Sequence, residues 1–188
     1  MKSTRPSVIL AYIGACVIWG STWMMIKIGL RDAPPMTSIA VRMAIASAIV
    51  AVALRAGRIR LPRDSRFVPL GVLLGFVQIA IPYAFVYYGE QRIDSGLAAV
   101  LYATLPLMVV VLARFTLHTP LTARKLLGIA IGIVGVACIF SNNLRLGHAE
   151  AAGTALVLAS VTASAVGSVA TKKWGHGHHP VASLLIPF

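Results

Sequence analysis

Trp19, Trp23 and Lys27 recur every four positions in the first apolar stretch, so they share one helical face, with Ser21 and Thr22 beside it. A charged side chain inside an apolar stretch of spanning length marks a solute or ion pathway unless it escapes to the interface. Lys27 stands about one turn from the end of the stretch, and its stem can also carry the ammonium up to the outer headgroups. Both readings stay open. Arg42 lies deeper, about two turns into the second stretch and roughly 10 Å below the outer surface at 1.5 Å per residue. A guanidinium there needs acceptors or water. It either contacts an inward-facing cavity or reaches up to headgroups and bonds the turn at Ala33-Pro34-Pro35.

Further along, Pro82 and Pro106 each remove a backbone hydrogen bond from an apolar stretch, and Gln78 sits one turn from Pro82. A polar spot at mid-depth follows where neighbours or cavity water satisfy the freed carbonyl. Near the C-terminus, Ser160, Ser164 and Ser168 form one stripe, and Ala155, Ala159, Ala163 and Gly167 form the adjoining one. Small residues at every fourth place let helices approach closely, as do the pairs Gly71/Gly75 and Gly128/Gly132. The candidate solute pathway is thus Trp19, Ser21, Trp23, Lys27, Arg42, Gln78, Ser164 and Ser168. The candidate packing positions are Gly71, Gly75, Gly128, Gly132, Ala159, Ala163 and Gly167.

The elements that must position these residues are membrane helices. The chain has 188 residues, 58% of them hydrophobic and 12% charged, against about 45–50% apolar and about 25% charged in ordinary globular domains. Mean hydropathy is +0.84. Apolar stretches of about 17–25 residues, enough to cross a hydrocarbon core about 30 Å thick, run approximately over 8–30, 36–54, 67–88, 95–115, 125–141 and 151–171. A further one begins near Pro180 and is cut off at Phe188, so the chain is expected to be incomplete. The fold class is all-α, a polytopic transmembrane helix bundle. Trp19, Trp23, Met24 and Met25 offer no small-x-small cleavage site, so the first stretch reads as an uncleaved helix. Cys16 and Cys138 lie inside apolar stretches without metal-ligand spacing and read as buried packing residues.

Basic residues set the orientation. Lys2 and Arg5, the run from Arg55 to Arg66, then Arg114, Arg124 and Lys125, then Lys172 and Lys173 all fall on one side. Only Arg31, Arg92 and Arg145 fall in connections on the other. Short cytoplasmic loops carry the Lys/Arg excess, so the N-terminus is cytoplasmic. The net charge of +12 therefore points to anionic lipid headgroups as partners and not to nucleic acid, whose binders carry no interrupted apolar spans. His176, His178 and His179 lack a nearby Cys, Asp or Glu and read as a solvated loop, not a metal site. No nucleophile elbow, phosphate-cradling loop or zinc-protease helix occurs, so neither an enzyme nor a cofactor is implied. No Asp or Glu lies deep in a predicted helix, and no carboxylate proton relay is visible.

Sliding residues 11–43 by 145 brings Lys27 onto Lys172 and Pro35 onto Pro180. Five helices separate the copies, and an odd number of crossings inverts the second, an arrangement that many secondary transporters use. Residues 1–145 then form a first five-helix repeat, and 146–188 begin a second, truncated inverted copy.

The segment WGSTWMMIKIGLRDAPPMTSIAVRMAIA, Trp19 to Ala46, resembles the start of the EamA family in the drug/metabolite transporter superfamily, through its Trp-Gly-Ser, the Lys near the helix end and the Arg of the next helix. Ser95 to Phe140, with LYATLPLMVVVLARF and LLGIAIGIVGVACIF, resembles the family's fourth and fifth helices. The resemblance spans essentially the whole chain. It implies ten helices in two inverted five-helix halves around a central cavity, moving amino acids, metabolites or drugs by alternating access. The chain differs from the pattern after helix 4, where a Gly-Glu-Arg-like stretch is replaced by His118-Thr119-Pro120. The expectation is an inner-membrane, multi-pass transporter of small molecules that needs further C-terminal helices to work, with no ATP site. The rival is a structural or regulatory membrane subunit, or an inactive remnant, that packs through its glycine stripes and transports nothing.

Overall fold

A computed structural model describes residues 6–58, 67–120, 122–142 and 147–174. Among them the elements are α1 Pro6–Asp32, α2 Pro35–Ala56, α3 Phe67–Gly75, a π turn Phe76–Ala80, α4 Ile81–Glu90, α5 Ser95–Tyr102, α6 Leu105–Leu117, α7 Ala123–Asn142 and α8 His148–Trp174. Five helical stretches within these residues are long and apolar enough to cross a membrane: Val8–Asp32, Pro35–Ala56, Gly71–Glu90, Ser95–Leu117 and His148–Trp174. The chain is an all-α, multi-pass membrane bundle. Helices satisfy every backbone group internally, which hydrocarbon demands. Large apolar side chains such as Leu10, Val17, Ile49 and Val52 point outward, an unfavourable surface in water and a neutral one in lipid.

The predicted stretches match the helices, with two breaks. Pro82 cannot donate to the carbonyl four residues back, and just before it the helix widens into the π turn, where the Ile81 N–H reaches the Phe76 carbonyl. The stretch read as one helix over 95–115 is two, because Pro106 takes the second position of α6 and the chain turns through Ala103 and Thr104. Thr104 Oγ1 donates to the Leu101 carbonyl at 2.6 Å and satisfies part of that break. His118 closes α6 in the left-handed region at φ 52°, a conformation that glycine takes without penalty and other L-residues do not. The predicted stub at Pro180–Phe188 and the cluster His176, His178 and His179 lie outside the described residues.

Helix α8 is the hub: it packs along α4, the π turn, α5 and α6. Its buried face is Gly153, Val157, Ser160, Ser164 and Gly167, a spacing of four and three that keeps one stripe toward a partner helix. Close approach is built in at Gly89 and Gly153. A Cβ on Gly153 would lie 2.8 Å from Arg92 Cβ and 3.0 Å from the Gly89 carbonyl, and one on Gly89 would lie 2.7 Å from Val157 Cγ2. Of the predicted small-residue stripe, Gly167 is on this buried face but the alanines face the other way. Ala155 and Ala159 are exposed and Ala163 is half-buried, because the hydroxyl stripe found partners in α4 and α5 and turned the alanines outward. Cys16 and Cys138 are likewise exposed instead of buried, on faces where lipid accepts a small apolar side chain.

The remaining glycines divide. Gly71 and Gly75 are buried. A Cβ on Gly132 would meet Leu107 Cδ1 of α6 at 2.6 Å, whereas one on Gly128 would meet nothing within 4 Å.

Candidate functional site: an aromatic cavity with one arginine

Between α1, α2, α4 and α5 lies a cavity of about 460 Å³, within the range of small-molecule sites, about 300–1,000 Å³. Trp19 and Trp23 enter it from α1, Arg42 from α2, Tyr83 from α4 and Tyr102 from α5. The four-residue spacing of the tryptophans puts both indoles on the face that α1 turns toward α4 and α5. Trp23 packs on Tyr102 with ring centroids 5.0 Å apart and planes tilted by 56°. Tyr102 Oη and Ser164 Oγ are 2.6 Å apart, a hydrogen bond that fastens this wall to α8. The Arg42 guanidinium stands 5.2 Å from the centroid of the Tyr83 ring, a cation–π distance. Among the described residues it has no carboxylate partner.

A second opening of about 660 Å³ runs between α1 and α2 past Ser21, Gly29, Thr37 and Ser38. Arg42 and Thr22 border both openings. Ser21 Oγ donates to the Val17 carbonyl at 2.8 Å and Thr22 Oγ1 to the Ile18 carbonyl at 2.8 Å. Their donors are spent within α1, so each hydroxyl offers a solute only acceptor lone pairs. Among the described residues the cavity is therefore aromatic and apolar with a single permanent charge.

Four predicted pathway residues sit elsewhere. Lys27 neither snorkels nor borders the cavity: its ammonium donates to the backbone carbonyls of Glu90 at 2.5 Å and Ile93 at 2.7 Å. A cation at a helix C-terminus satisfies carbonyls that have no intrahelical partner and complements the dipole, which explains why the lysine stops one turn short of the helix end. Gln78 faces α8, where Thr171 Oγ1 donates to its Oε1 at 2.8 Å and a Cβ on Gly167 would fall 2.6 Å from Gln78 Cβ. Ser168 Oγ donates to the Ser164 carbonyl of its own helix at 2.8 Å. Ser164 is buried and acts through Tyr102.

Glu90 escaped the sequence reading. It is 0% exposed, and neither carboxylate oxygen has a hydrogen-bond partner. Pro82, Val86 and Glu90 repeat every four residues and are all buried, and that stripe was the available signal. A stretch that ends at residue 88 puts the acid in a loop, whereas α4 runs to Glu90. Ser160, whose Oγ donates to the Pro82 carbonyl at 2.8 Å, was recognised as part of a stripe but not as the partner of the proline kink.

The EamA-like transporter family matches residues 6–141. The chain belongs to that family. It is similar to the uncharacterized transporter YoaV of Bacillus subtilis, 28% identical over 170 residues, which cover 88% of this chain and 57% of that protein. The uncharacterized inner membrane transporter YedA of Escherichia coli K12 is 34% identical over 162 residues, 81% of this chain and 49% of its own length. A probable amino-acid metabolite efflux pump of the same strain is 27% identical over 186 residues, 97% of this chain and 59% of its own. The chain thus spans about half to three fifths of the length of these EamA-like relatives. No solved structure matches it. The family match covers α1 to α6 and all but the last residue of α7, every helix that lines the aromatic cavity included.

Proposed function

We propose that this chain forms one half, and the opening of a second inverted half, of an inner-membrane transporter that moves small metabolites, amino acids or drugs by alternating access. Residues 1–145 are the first repeat and 146–188 begin the second. The observation that carries the reading is the cavity: two indoles, two phenols and one arginine, with no carboxylate partner among the described residues, border about 460 Å³ between membrane helices. Such a surface stacks the flat or apolar part of a solute and pairs its polar end with Arg42. Ser21 borders the adjoining groove, and Lys27, Ser164, Ser168 and Gln78 act by holding the helices that frame the path. The names of the similar proteins, transporters and an efflux pump, favour this class over a structural subunit.

The second wall comes from further helices. Residues 1–188 reconstituted alone should show no saturable uptake of any compound in a panel of radiolabelled amino acids and cationic drugs, while the same residues co-expressed with the remaining helices should carry at least one. Saturable, substrate-specific flux through residues 1–188 by themselves would replace the two-half reading with a single-repeat carrier.

The basic bias orients the N-terminus toward the cytoplasm. In a background free of Cys16 and Cys138, Arg58→Cys in cells should react with a membrane-impermeant maleimide only after permeabilisation, and Gln91→Cys before it. The reverse order would invert the topology.

A further inference from the structure

Where α4 ends against α1 and α8, three oxygens are buried with no hydrogen-bond partner among the described residues: both carboxylate oxygens of Glu90 and the hydroxyl of Thr154. The two residues flank the tight crossing of Gly89 on Gly153, which excludes water by close packing. The charged group nearest by its bonds is the Lys27 ammonium, and it is committed to the carbonyl of Glu90 itself and to that of Ile93. Arg92 turns away, its guanidinium donating to the Tyr88 carbonyl at 2.7 Å. Gly153, Thr154, Val157, Ala98 and Leu101, which α8 and α5 bury at this junction, carry no titratable group, and Asp94, His148 and Glu150 are exposed. An ionised carboxylate that is fully buried, unpaired and without hydrogen bonds is among the least favourable groups a protein can hold, and it takes up a proton instead.

We propose that Glu90 is a proton-binding site: its carboxyl is protonated in this conformation and deprotonates in a second one, in which Lys27 leaves the two carbonyls and pairs with the carboxylate. The step moves one proton. The O–H bond of the carboxyl breaks and the proton goes to water, while the Lys27 ammonium keeps its own protons and changes acceptor. The junction passes from one net positive charge, held on two backbone carbonyls, to none. Ile26 lines the cavity and Lys27 follows it on α1, so the movement that frees the lysine also shifts a cavity wall. Resting on the transport reading above, Glu90 is the group through which a proton gradient drives the solute.

Two measurements on the complete protein in lipid test this separately from transport itself. Infrared spectra at neutral pH should contain a protonated-carboxyl carbonyl band that Glu90→Gln removes and Glu150→Gln leaves. Absence of that band in the wild type, or its persistence in Glu90→Gln, overturns the proton site even if the protein transports nothing. In vesicles, Glu90→Gln, which mimics the neutral acid in shape, should lose uphill accumulation driven by a pH gradient by more than about tenfold, while Glu150→Gln keeps it within about twofold. Undiminished uphill accumulation in Glu90→Gln would end the coupling role while leaving the transport reading intact.

Discussion

Alanine at Arg42 should lower solute flux through the complete protein by more than about tenfold, with membrane abundance within about twofold of the wild type. Among the described residues the guanidinium is the one permanent charge on the cavity wall, and it stands over Tyr83. A hydrogen bond to a charged group contributes about 1.5–3 kcal/mol, and every 1.4 kcal/mol is about a factor of ten in affinity or rate. Its loss therefore removes about one to two orders of magnitude, provided that a solute's polar end docks there. Folding should hardly notice, because Arg42 makes no hydrogen bond or ion pair within the described residues. Arg42→Lys keeps the charge but not the planar fork and should recover part of the flux. Arg31→Ala removes an exposed cation at the end of α1 and should change flux by less than about twofold. Normal flux in Arg42→Ala would assign the residue to the interface and take it out of the pathway.

The second large effect concerns packing and has opposite signs at two glycines. Gly153→Ala places a methyl group 2.8 Å from Arg92 Cβ, 2.9 Å from Ile93 Cγ2 and 3.0 Å from the Gly89 carbonyl. The last of these is backbone, which cannot swing aside, so α8 must back away from α4 along the contact that organises the bundle. Overpacking of this kind destabilises by about 1–3 kcal/mol. Gly128→Ala meets nothing within 4 Å and gains helix propensity of about 0.5–1 kcal/mol. Thermal unfolding of the protein in detergent should thus begin earlier in Gly153→Ala and no earlier in Gly128→Ala than in the wild type. Equal melting of Gly153→Ala and the wild type would mean that the two helices do not cross as closely as Gly89 and Gly153 imply. Separation at this crossing would also open the Glu90 pocket to water, so Gly153→Ala should lose pH-driven accumulation together with stability.

Much of the architecture is legible in the amino-acid sequence because lipid imposes a simple rule. A stretch that crosses hydrocarbon has to be apolar, long and helical, and each predicted stretch corresponds to helix in the described residues. Faces were harder to read. In a soluble helix polarity reports which side is wet, but in a membrane helix both the lipid side and the packed side are apolar or small. The stripes of α8 show the consequence. Alanines and serines at four-residue spacing were equally good candidates for the packed side, and the outcome turned on partners far away in sequence: Tyr102 for Ser164 and the Pro82 carbonyl for Ser160.

The cavity was half legible. Trp19, Trp23 and Arg42 border it, whereas Tyr83 and Tyr102 join them only through the folding of α4 and α5 against α1. Lys27 illustrates the limit most clearly. Its depth in the helix was visible, but its acceptors are carbonyls 63 and 66 residues away, and backbone oxygens leave no trace in side-chain identity. Glu90 failed for a related reason: a shift of two residues in a predicted helix end separates a loop acid from a buried one.

A solute that passes along the aromatic cavity, as proposed above, shields a cysteine placed there from alkylation, in the complete protein and a background free of Cys16 and Cys138. Trp19 and Val17 are both 64% exposed, so simple accessibility does not distinguish them, but only Trp19 borders the cavity. A thiol reacts as thiolate and needs water to ionise. Trp19→Cys should therefore react with a small maleimide and lose its flux as it does so, a transported solute in excess should slow that reaction, and Val17→Cys should keep its flux throughout. Full alkylation of Trp19→Cys with undiminished flux and no protection by solute would contradict a pathway through this cavity.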